Sequence, residues 1–130
     1  MSVYIKYNMS NFQNKVALII GGTSGIGLAT TQALLAGGAQ VHIVGRNTAK
    51  IESRTGLTKH QVDITHNDSV EAFIQQIASL DNLDFLVNAS GIFQPKPFLD
   101  HSLEDYNSYL DLNRGFFFIT QAAARKMQET

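Results

Sequence analysis

Residues 16–27, VALIIGGTSGIG, join a continuous apolar run directly to a glycine-rich turn. The run from Lys15 to Gly21 is typical of a strand that is covered on both faces, as in a parallel sheet. From Ile26 the apolar residues fall at helical spacing, and Gly37-Gly38 ends that pattern. This stretch therefore predicts a strand, a tight turn and a helix in immediate succession.

Strand and helix patterns continue to alternate along the rest of the chain. Alternation of this kind is typical of a parallel sheet with crossover helices. We predict an α/β fold with a parallel sheet and flanking helices. Further strands are expected at Val41 to Val44, around His60 to Ile64 and at Asp84 to Asn88, with a weakly patterned short helix through Lys50 and Glu52.

Two more helices are predicted from their starts and apolar stripes. Thr65, with Asp68 three positions on, is a candidate N-cap, and Ser102 with Glu104 and Asp105 is expected to start a long helix toward Met127. That long helix has two apolar stripes, only one of which can face the sheet. The other stripe must be covered by further chain or by a partner subunit. The last predicted strand would also be an unprotected edge of the sheet. The stripes are Tyr106, Leu110, Phe117 and Ala124 on one side, and Leu112, Phe116, Ile119, Ala123 and Met127 on the other.

Composition excludes several classes of function. The 130 residues suit an N-terminal tail at 1–11 and one partial domain at 12–130. Ten basic and eleven acidic side chains, without a basic run, argue against a nucleic-acid partner. The absence of cysteine excludes disulfides and thiolate chemistry, and the four scattered histidines suggest no metal site. Because no apolar run approaches the roughly 20 residues of a membrane span, we expect a cytoplasmic protein without a membrane partner.

The glycines at 21, 25 and 27 carry the first functional signal. Glycines at this turn allow backbone N–H groups to approach a pyrophosphate, and the helix N-terminus adds positive potential. The alternative is a purely structural turn, since any strand-to-helix connection can use glycine. A strand before, a helix after and the spacing between the glycines together favour dinucleotide binding.

With Ile20 in place of the usual threonine, this segment resembles the Thr-Gly-x-x-x-Gly-x-Gly motif of the short-chain dehydrogenase/reductase family. The resemblance extends from Phe12 onward and implies an oxidoreductase that acts on an alcohol/carbonyl pair. The resemblance further implies the fold: an incomplete Rossmann-type doubly wound parallel sheet with strand order 3-2-1-4 and flanking helices. It also implies cofactor contacts from the turn residues Gly21, Thr23, Ser24, Gly25, Ile26 and Gly27.

The end of the second predicted strand indicates which cofactor is preferred. An acidic side chain there binds a ribose 2′-hydroxyl, whereas an arginine suits a 2′-phosphate. The sequence is Gly45-Arg46-Asn47, without an acid. A guanidinium can pair with a phosphate through charge-assisted hydrogen bonds, so we expect NADP(H) rather than NAD(H), with contacts from Arg46 and Asn47. The alternative is a solvated arginine at a strand end.

Two further segments resemble family contacts to the cofactor. Asp63-Ile64 stands where the family places an aspartate that binds the adenine amino group; the alternative is a local turn acceptor. Asn88-Ala89-Ser90-Gly91 resembles the family's Asn-Asn-Ala-Gly, with its two middle residues changed. In an open 3-2-1-4 sheet, Gly21 and Gly91 would flank one crevice, at the switch point where such ligands bind.

Catalytic residues are mostly missing from these 130 residues. The family uses a tyrosine, a lysine four positions later, a serine and an asparagine, but no Tyr-x-x-x-Lys occurs in this sequence. Residues 110–116 resemble the segment with the asparagine, so Asn113 is the one catalytic residue implied; its alternative role is a polar residue satisfied by backbone.

We therefore expect the cofactor-binding half of an NADP(H)-dependent enzyme, which alone binds cofactor weakly and turns nothing over. In the complete enzyme the partners would be a small carbonyl or alcohol substrate and a second copy docked on the last helix. The alternatives are a non-catalytic NADP-binding or protein-interaction module, and a decayed gene product.

Overall fold

A computed structural model describes residues 9–92 and 94–129. Residues 1–8 of the expected N-terminal tail lie outside the described residues. Met9–Phe12, where that tail meets the predicted domain, forms a 3-10 helix. Its backbone is tied to the domain, because the amide of Phe12 donates to the carbonyl of Gly37 at 3.1 Å. The Phe12 ring also meets Phe85 edge to face, with centroids 6.0 Å apart.

A helix separates successive strands except between the second and the third, and the four strands form a wholly parallel sheet of order 3-2-1-4. This confirms the predicted α/β fold and strand order. The strands are β1 (Val16–Ile20), β2 (Gln40–Gly45), β3 (Leu57–Gln61) and β4 (Phe85–Asn88), and the helices are α1 (Gly25–Ala36), α2 (Asn67–Ala78) and α3 (Leu103–Gln128). A second 3-10 turn, Phe98–Asp100, precedes α3.

Strand β1 is buried along its whole length because apolar layers cover both faces of the sheet. Alternate side chains of β1 point to opposite faces. Val16, Leu18 and Ile20 belong to a core shared with α2 and α3. Ala17 and Ile19 belong to a second core shared with α1 and β2. The continuous apolar run in the sequence is therefore the consequence of a strand with helices on both sides.

Three local predictions are wrong. No helix passes through Lys50 and Glu52, where the chain forms turns and bends instead. Strand β3 begins and ends about three residues earlier than predicted, because it pairs with β2 from Leu57 onward. Asp63 and Ile64 therefore follow the strand. Thr65 is not an N-cap, since its hydroxyl donates to Asp63 and His66 takes the cap position of α2.

The start of the last helix is confirmed. Ser102 and Asp105 form a reciprocal capping box, in which each side chain accepts a hydrogen bond from the other residue's backbone N–H, at 3.1 and 2.9 Å. Lys96 lies 2.7 Å from the Asp105 carboxylate. The hydrogen bond from Lys96 and those from Ser102 lower the pKa of Asp105 to about 2. The carboxylate thus remains charged at the positive end of the helix dipole.

The two apolar stripes of α3 have different environments. Leu112, Ile119 and Ala123 are buried against the sheet and α2, whereas Tyr106 and Phe117 are 61% and 62% exposed. Strand β4 lies at one edge of the sheet, as expected. In the described ranges, no helix is long and apolar enough to cross a membrane.

Candidate functional site

The turn after β1 brings the ends of three strands together. Gly21 continues the sheet, donating its N–H to the carbonyl of Val44 at 2.9 Å. Its φ of +81° is one that residues with a side chain rarely adopt. A Cβ at this position would also lie 2.7 Å from the backbone nitrogen of Ser90. Position 21 therefore requires glycine both for its conformation and for the close approach of the segment after β4.

Helix α1 packs directly beneath this turn. A Cβ on Gly27 would overlap the carbonyl oxygen of Gly21. Gly25, in contrast, has a φ of +54° and no atom within 4 Å of the place of its Cβ, so it faces open space. Ser24, the N-cap of α1, makes no side-chain capping bond. The first backbone N–H groups of the helix therefore remain available to an anion.

A cavity of about 280 Å³ opens at the carboxyl ends of the strands. The predicted residues that line it are Gly21, Thr23, Ser24, Arg46, Asp63, Ile64, Ala89, Ser90 and Gly91. The other predicted cofactor residues do not line it. Gly27 is buried under the turn, while Gly25, Ile26, Asn47 and Asn88 are exposed around it.

Arg46 provides positive charge at the end of β2. Its side chain is exposed on the cavity wall, and within residues 9–92 and 94–129 no acidic group pairs with it. Thr23 lines the same cavity and lies against the preceding residue, Gly45. An exposed, unpaired guanidinium that shares a cavity with a hydroxyl is a suitable receptor for a phosphate group.

Asp63 is held in a fixed orientation on the cavity wall, after the strand that neighbours β2. Its Oδ1 accepts hydrogen bonds from the hydroxyl of Thr65 at 2.6 Å and from the Thr65 amide at 3.0 Å. His66 lies 3.0 Å from Oδ2. Partial burial opposes ionisation, but the bonds from Thr65 and the neighbouring His66 together lower the pKa of Asp63. The carboxylate is therefore a charged acceptor at neutral pH. Asp63 also accepts hydrogen bonds within its own turn, which was the alternative role considered from the sequence.

Ser90 contributes an unusual polar atom. Among the described residues, its hydroxyl is the buried side-chain group that has no hydrogen-bond partner. Buried hydroxyls are nearly always paired, and exceptions often mark a functional position. The cavity is otherwise apolar on one side, from Ile20, Val44, Val62, Ile64, Ile92 and Leu112. Open glycines, a free helix N-terminus, one unpaired cation and an apolar wall fit a dinucleotide.

Helix α3 presents Leu112 to the cavity, and Asn113 does not line it. Leu112 is 8% exposed, whereas Asn113, the next residue around the helix, is exposed. The structure thus does not bring the predicted catalytic asparagine to the cavity wall.

The contact between α3 and the Ile64 loop was not anticipated from sequence. A Cβ on Gly115 would overlap the carbonyl oxygen of Ile64. Arg114 adds hydrogen bonds to Asn67 at 2.7 Å and to the carbonyl of Thr65 at 3.3 Å. The available signal was Gly115 itself, since a glycine inside a helix needs a packing reason.

Two of the histidines that looked scattered are neighbours. The Nδ1 of His42 lies 2.9 Å from the Nε2 of His60. The other ring nitrogen of His60, Nδ1, lies 3.1 Å from Oε1 of Gln76. Burial lowers the pKa of both rings, and the proximity of His60 lowers that of His42 further. Neither ring lines the cavity. In the part of the chain that the structure describes, no three potential ligands gather as a metal site.

Comparisons with known proteins agree with this geometry. The family model described as short chain dehydrogenase matches residues 15–130. An uncharacterized oxidoreductase, YvrD of Bacillus subtilis, is 36% identical over 108 residues, covering 78% of this chain and 41% of that protein. The 3-oxoacyl-(acyl-carrier-protein) reductase FabG of Aquifex aeolicus is 35% identical over 126 residues, covering 88% and 51%. The chain thus spans about half the length of the curated relatives it matches.

Solved structures share the same architecture. A short chain dehydrogenase from Leptospira borgpetersenii, with bound NAD+, superposes with a TM-score of 0.84 at 25% identity, over 99% of this chain and 52% of its own. A 4-hydroxyisoleucine dehydrogenase complexed with NADH gives a TM-score of 0.80 at 25% identity, over 89% and 50%.

Proposed function

We propose, from the premise that this chain belongs to the short-chain dehydrogenase family, that the cavity described above is the NADP(H) site of an oxidoreductase. The reaction interconverts an alcohol and a carbonyl group on a small substrate. The observation that carries the proposal is the unpaired Arg46 on the same cavity as the glycine turn. The match covers 41% and 51% of two relatives, and the residues that this chain would supply to the reaction are those that bind the cofactor.

Different residues of this chain would bind different parts of the cofactor. The open face of the turn and the free N–H groups of α1 would hold a pyrophosphate, since both present donors and positive potential. Arg46, with the hydroxyl of Thr23, would hold a 2′-phosphate. The fixed carboxylate of Asp63 would accept a hydrogen bond from the adenine amino group.

Orientation and exclusion of water are the remaining roles. A bound nicotinamide cofactor supplies the hydride in this chemistry. The apolar side of the cavity, which includes Ile92 and Leu112, would exclude water from the nicotinamide ring. The role of Asn113 as a proton-relay residue stays a prediction from the family resemblance, and its exposed position offers no support for it.

Fluorescence titration tests the cofactor preference. We expect the chain to bind NADPH more tightly than NADH, and Arg46→Ala to lose roughly tenfold or more in NADPH affinity, the value of a hydrogen bond to a charged group. Arg54→Ala is the matched control, because Arg54 lies exposed in the same connection but outside the cavity lining. Equal curves for the two dinucleotides, or unchanged NADPH affinity in Arg46→Ala, would contradict the proposal.

The exposed stripe of α3 supports a second part of the proposal, an association between two copies of the protein. Tyr106, Leu110 and Phe117 expose apolar surface along one side of the helix. We expect Phe117→Glu to shift the sedimentation coefficient toward that of the monomer. An unchanged coefficient would refute this interface.

The cytoplasmic location expected from the sequence stays a prediction.

A further inference from the structure

We propose that Arg114 of α3 is a positioning residue for the cofactor site, because it fixes the carboxylate of Asp63 through Thr65 and thereby sharpens recognition of the adenine amino group. This role rests on the proposed function, in which Asp63 accepts a hydrogen bond from that amino group. Arg114 itself does not line the cavity. It therefore acts on the cofactor only through the loop that follows β3.

The guanidinium of Arg114 connects the last helix to this loop and to α2. Its Nη2 donates to the carbonyl of Thr65 at 3.3 Å, and its Nε donates to Oδ1 of Asn67 at 2.7 Å. Its Nη1 lies 3.1 Å from Oδ1 of Asp111, one turn earlier on α3. Because the three nitrogens lie in one rigid plane, bonds to three separate acceptors hold the loop and the helix in a single relative orientation.

The charge of Arg114 does not serve the stability of α2. Asn67 is the first residue of that helix, and a cation near a helix N-terminus is unfavourable because the helix dipole is positive there. Asp111 offsets part of this cost, since its carboxylate pairs with the guanidinium. The bond to the Thr65 carbonyl therefore points to a role of Arg114 in the loop.

Thr65 lies between Arg114 and the cofactor cavity. Its carbonyl accepts from Arg114, while its amide and hydroxyl donate to Oδ1 of Asp63 at 3.0 and 2.6 Å. Asp63 and Thr65 both line the cavity. The neighbouring backbone is also in close contact with α3, because a Cβ on Gly115 would overlap the carbonyl oxygen of Ile64. Loss of the Arg114 donors should therefore free the Thr65 peptide and give the Asp63 carboxylate more than one orientation.

The orientation of Asp63 affects one group of the cofactor in particular. Adenine carries an amino group that can donate to a carboxylate, whereas hypoxanthine carries a carbonyl oxygen at the same position. A well-oriented Asp63 should therefore favour NADPH over its hypoxanthine analogue by about tenfold, the value of a hydrogen bond to a charged group. The ratio of the two affinities cancels every effect that the two ligands share, including a general loss of stability.

Fluorescence titration of the full chain with NADPH and with its hypoxanthine analogue tests the role of Arg114. In Arg114→Met the aliphatic stem is kept and the N–H donors are removed. We expect the wild type to prefer NADPH by about tenfold, and Arg114→Met to lose about threefold or more of that preference. Circular dichroism checks that each variant is folded.

Two matched controls separate the loop contact from the other properties of Arg114. Asn67→Ala removes the bond to α2 but leaves the bond from Arg114 to Thr65. Arg125→Ala removes an exposed cation from the same helix. Both variants should keep the wild-type ratio of affinities.

Two results would overturn the role of Arg114 while leaving the proposed function intact. One is a wild-type ratio in Arg114→Met; the other is an equal loss of preference in Asn67→Ala, since the link between the helices would then explain the effect. A wild type that binds both ligands equally would overturn the adenine contact of Asp63 as well. Failure to bind either ligand would overturn the proposed function itself.

If Arg114→Met does not fold, Arg114→Lys takes its place. Lysine keeps the charge, but its single ammonium replaces a planar group that bonds three acceptors. The preference for NADPH should again fall, and a wild-type ratio in this variant would overturn the role of Arg114.

Discussion

Replacing Gly115 by alanine separates what the helix alone would favour from what its packing allows. Within an isolated helix, alanine is more stable than glycine by about 1 kcal/mol. In the folded protein, the new Cβ would overlap the carbonyl oxygen of Ile64, a backbone atom in the loop that also carries Asp63. The clash can be relieved only by moving α3 or this loop.

The expected magnitude follows from these two opposing effects. Overpacking a close contact destabilises a protein by about 1–3 kcal/mol, and a backbone atom without freedom to rotate places this contact near the upper end. After the gain of about 1 kcal/mol in helix propensity, the net loss of unfolding free energy is about 2 kcal/mol. Because m-values for urea are about 1–3 kcal/mol/M in small proteins, the midpoint should fall by about 1 M.

Equilibrium urea unfolding measures this change, with Asn113→Ala as the matched control. Asn113 lies on the same helix but is exposed, so its replacement should keep the midpoint or raise it by the few tenths of a kcal/mol that alanine adds. If Gly115→Ala is as stable as the wild type or more stable, α3 does not depend on this contact and the reasoning is refuted.

Three further results are expected. Ser90→Ala removes a buried hydroxyl without a partner, so its urea midpoint should be unchanged or higher while NADPH affinity drops several-fold; a lower midpoint would contradict this. The pKa values of His42 and His60 are lowered in the folded state, so their contribution to stability is present above pH 6.5 and is lost as the pH falls below it. The urea midpoint of the wild type should therefore fall below pH 6.5, and that of His60→Gln should fall less; equal falls would contradict this. Ser102→Ala should reduce the unfolding free energy by about 1 kcal/mol, and an unchanged midpoint would show that the capping box does not stabilise α3.

Individual strands and helices were predictable where periodicity was strong. The apolar run into the Gly21 turn predicted β1 and α1, and the Ser102 cap predicted the start of α3. The boundaries failed where the pattern was weak. Residues 46–56 contain charged and polar side chains without an apolar stripe, and the start of β3 depends on pairing with β2, which the segment itself does not encode.

The sequence by itself determined the strand, glycine turn and helix from Val16 onward and the positive charge at Arg46, because glycine spacing and apolar periodicity are local properties. The strand order and the crevice between the first and fourth strands were expected from the family resemblance. Only the tertiary structure decided which side chains face the crevice. It turns Leu112 rather than Asn113 to the cavity, sets Thr23 against Gly45 and brings Gly115 onto the carbonyl of Ile64. These contacts join residues far apart in the chain, so they depend on how the helices and strands pack and not on any local pattern.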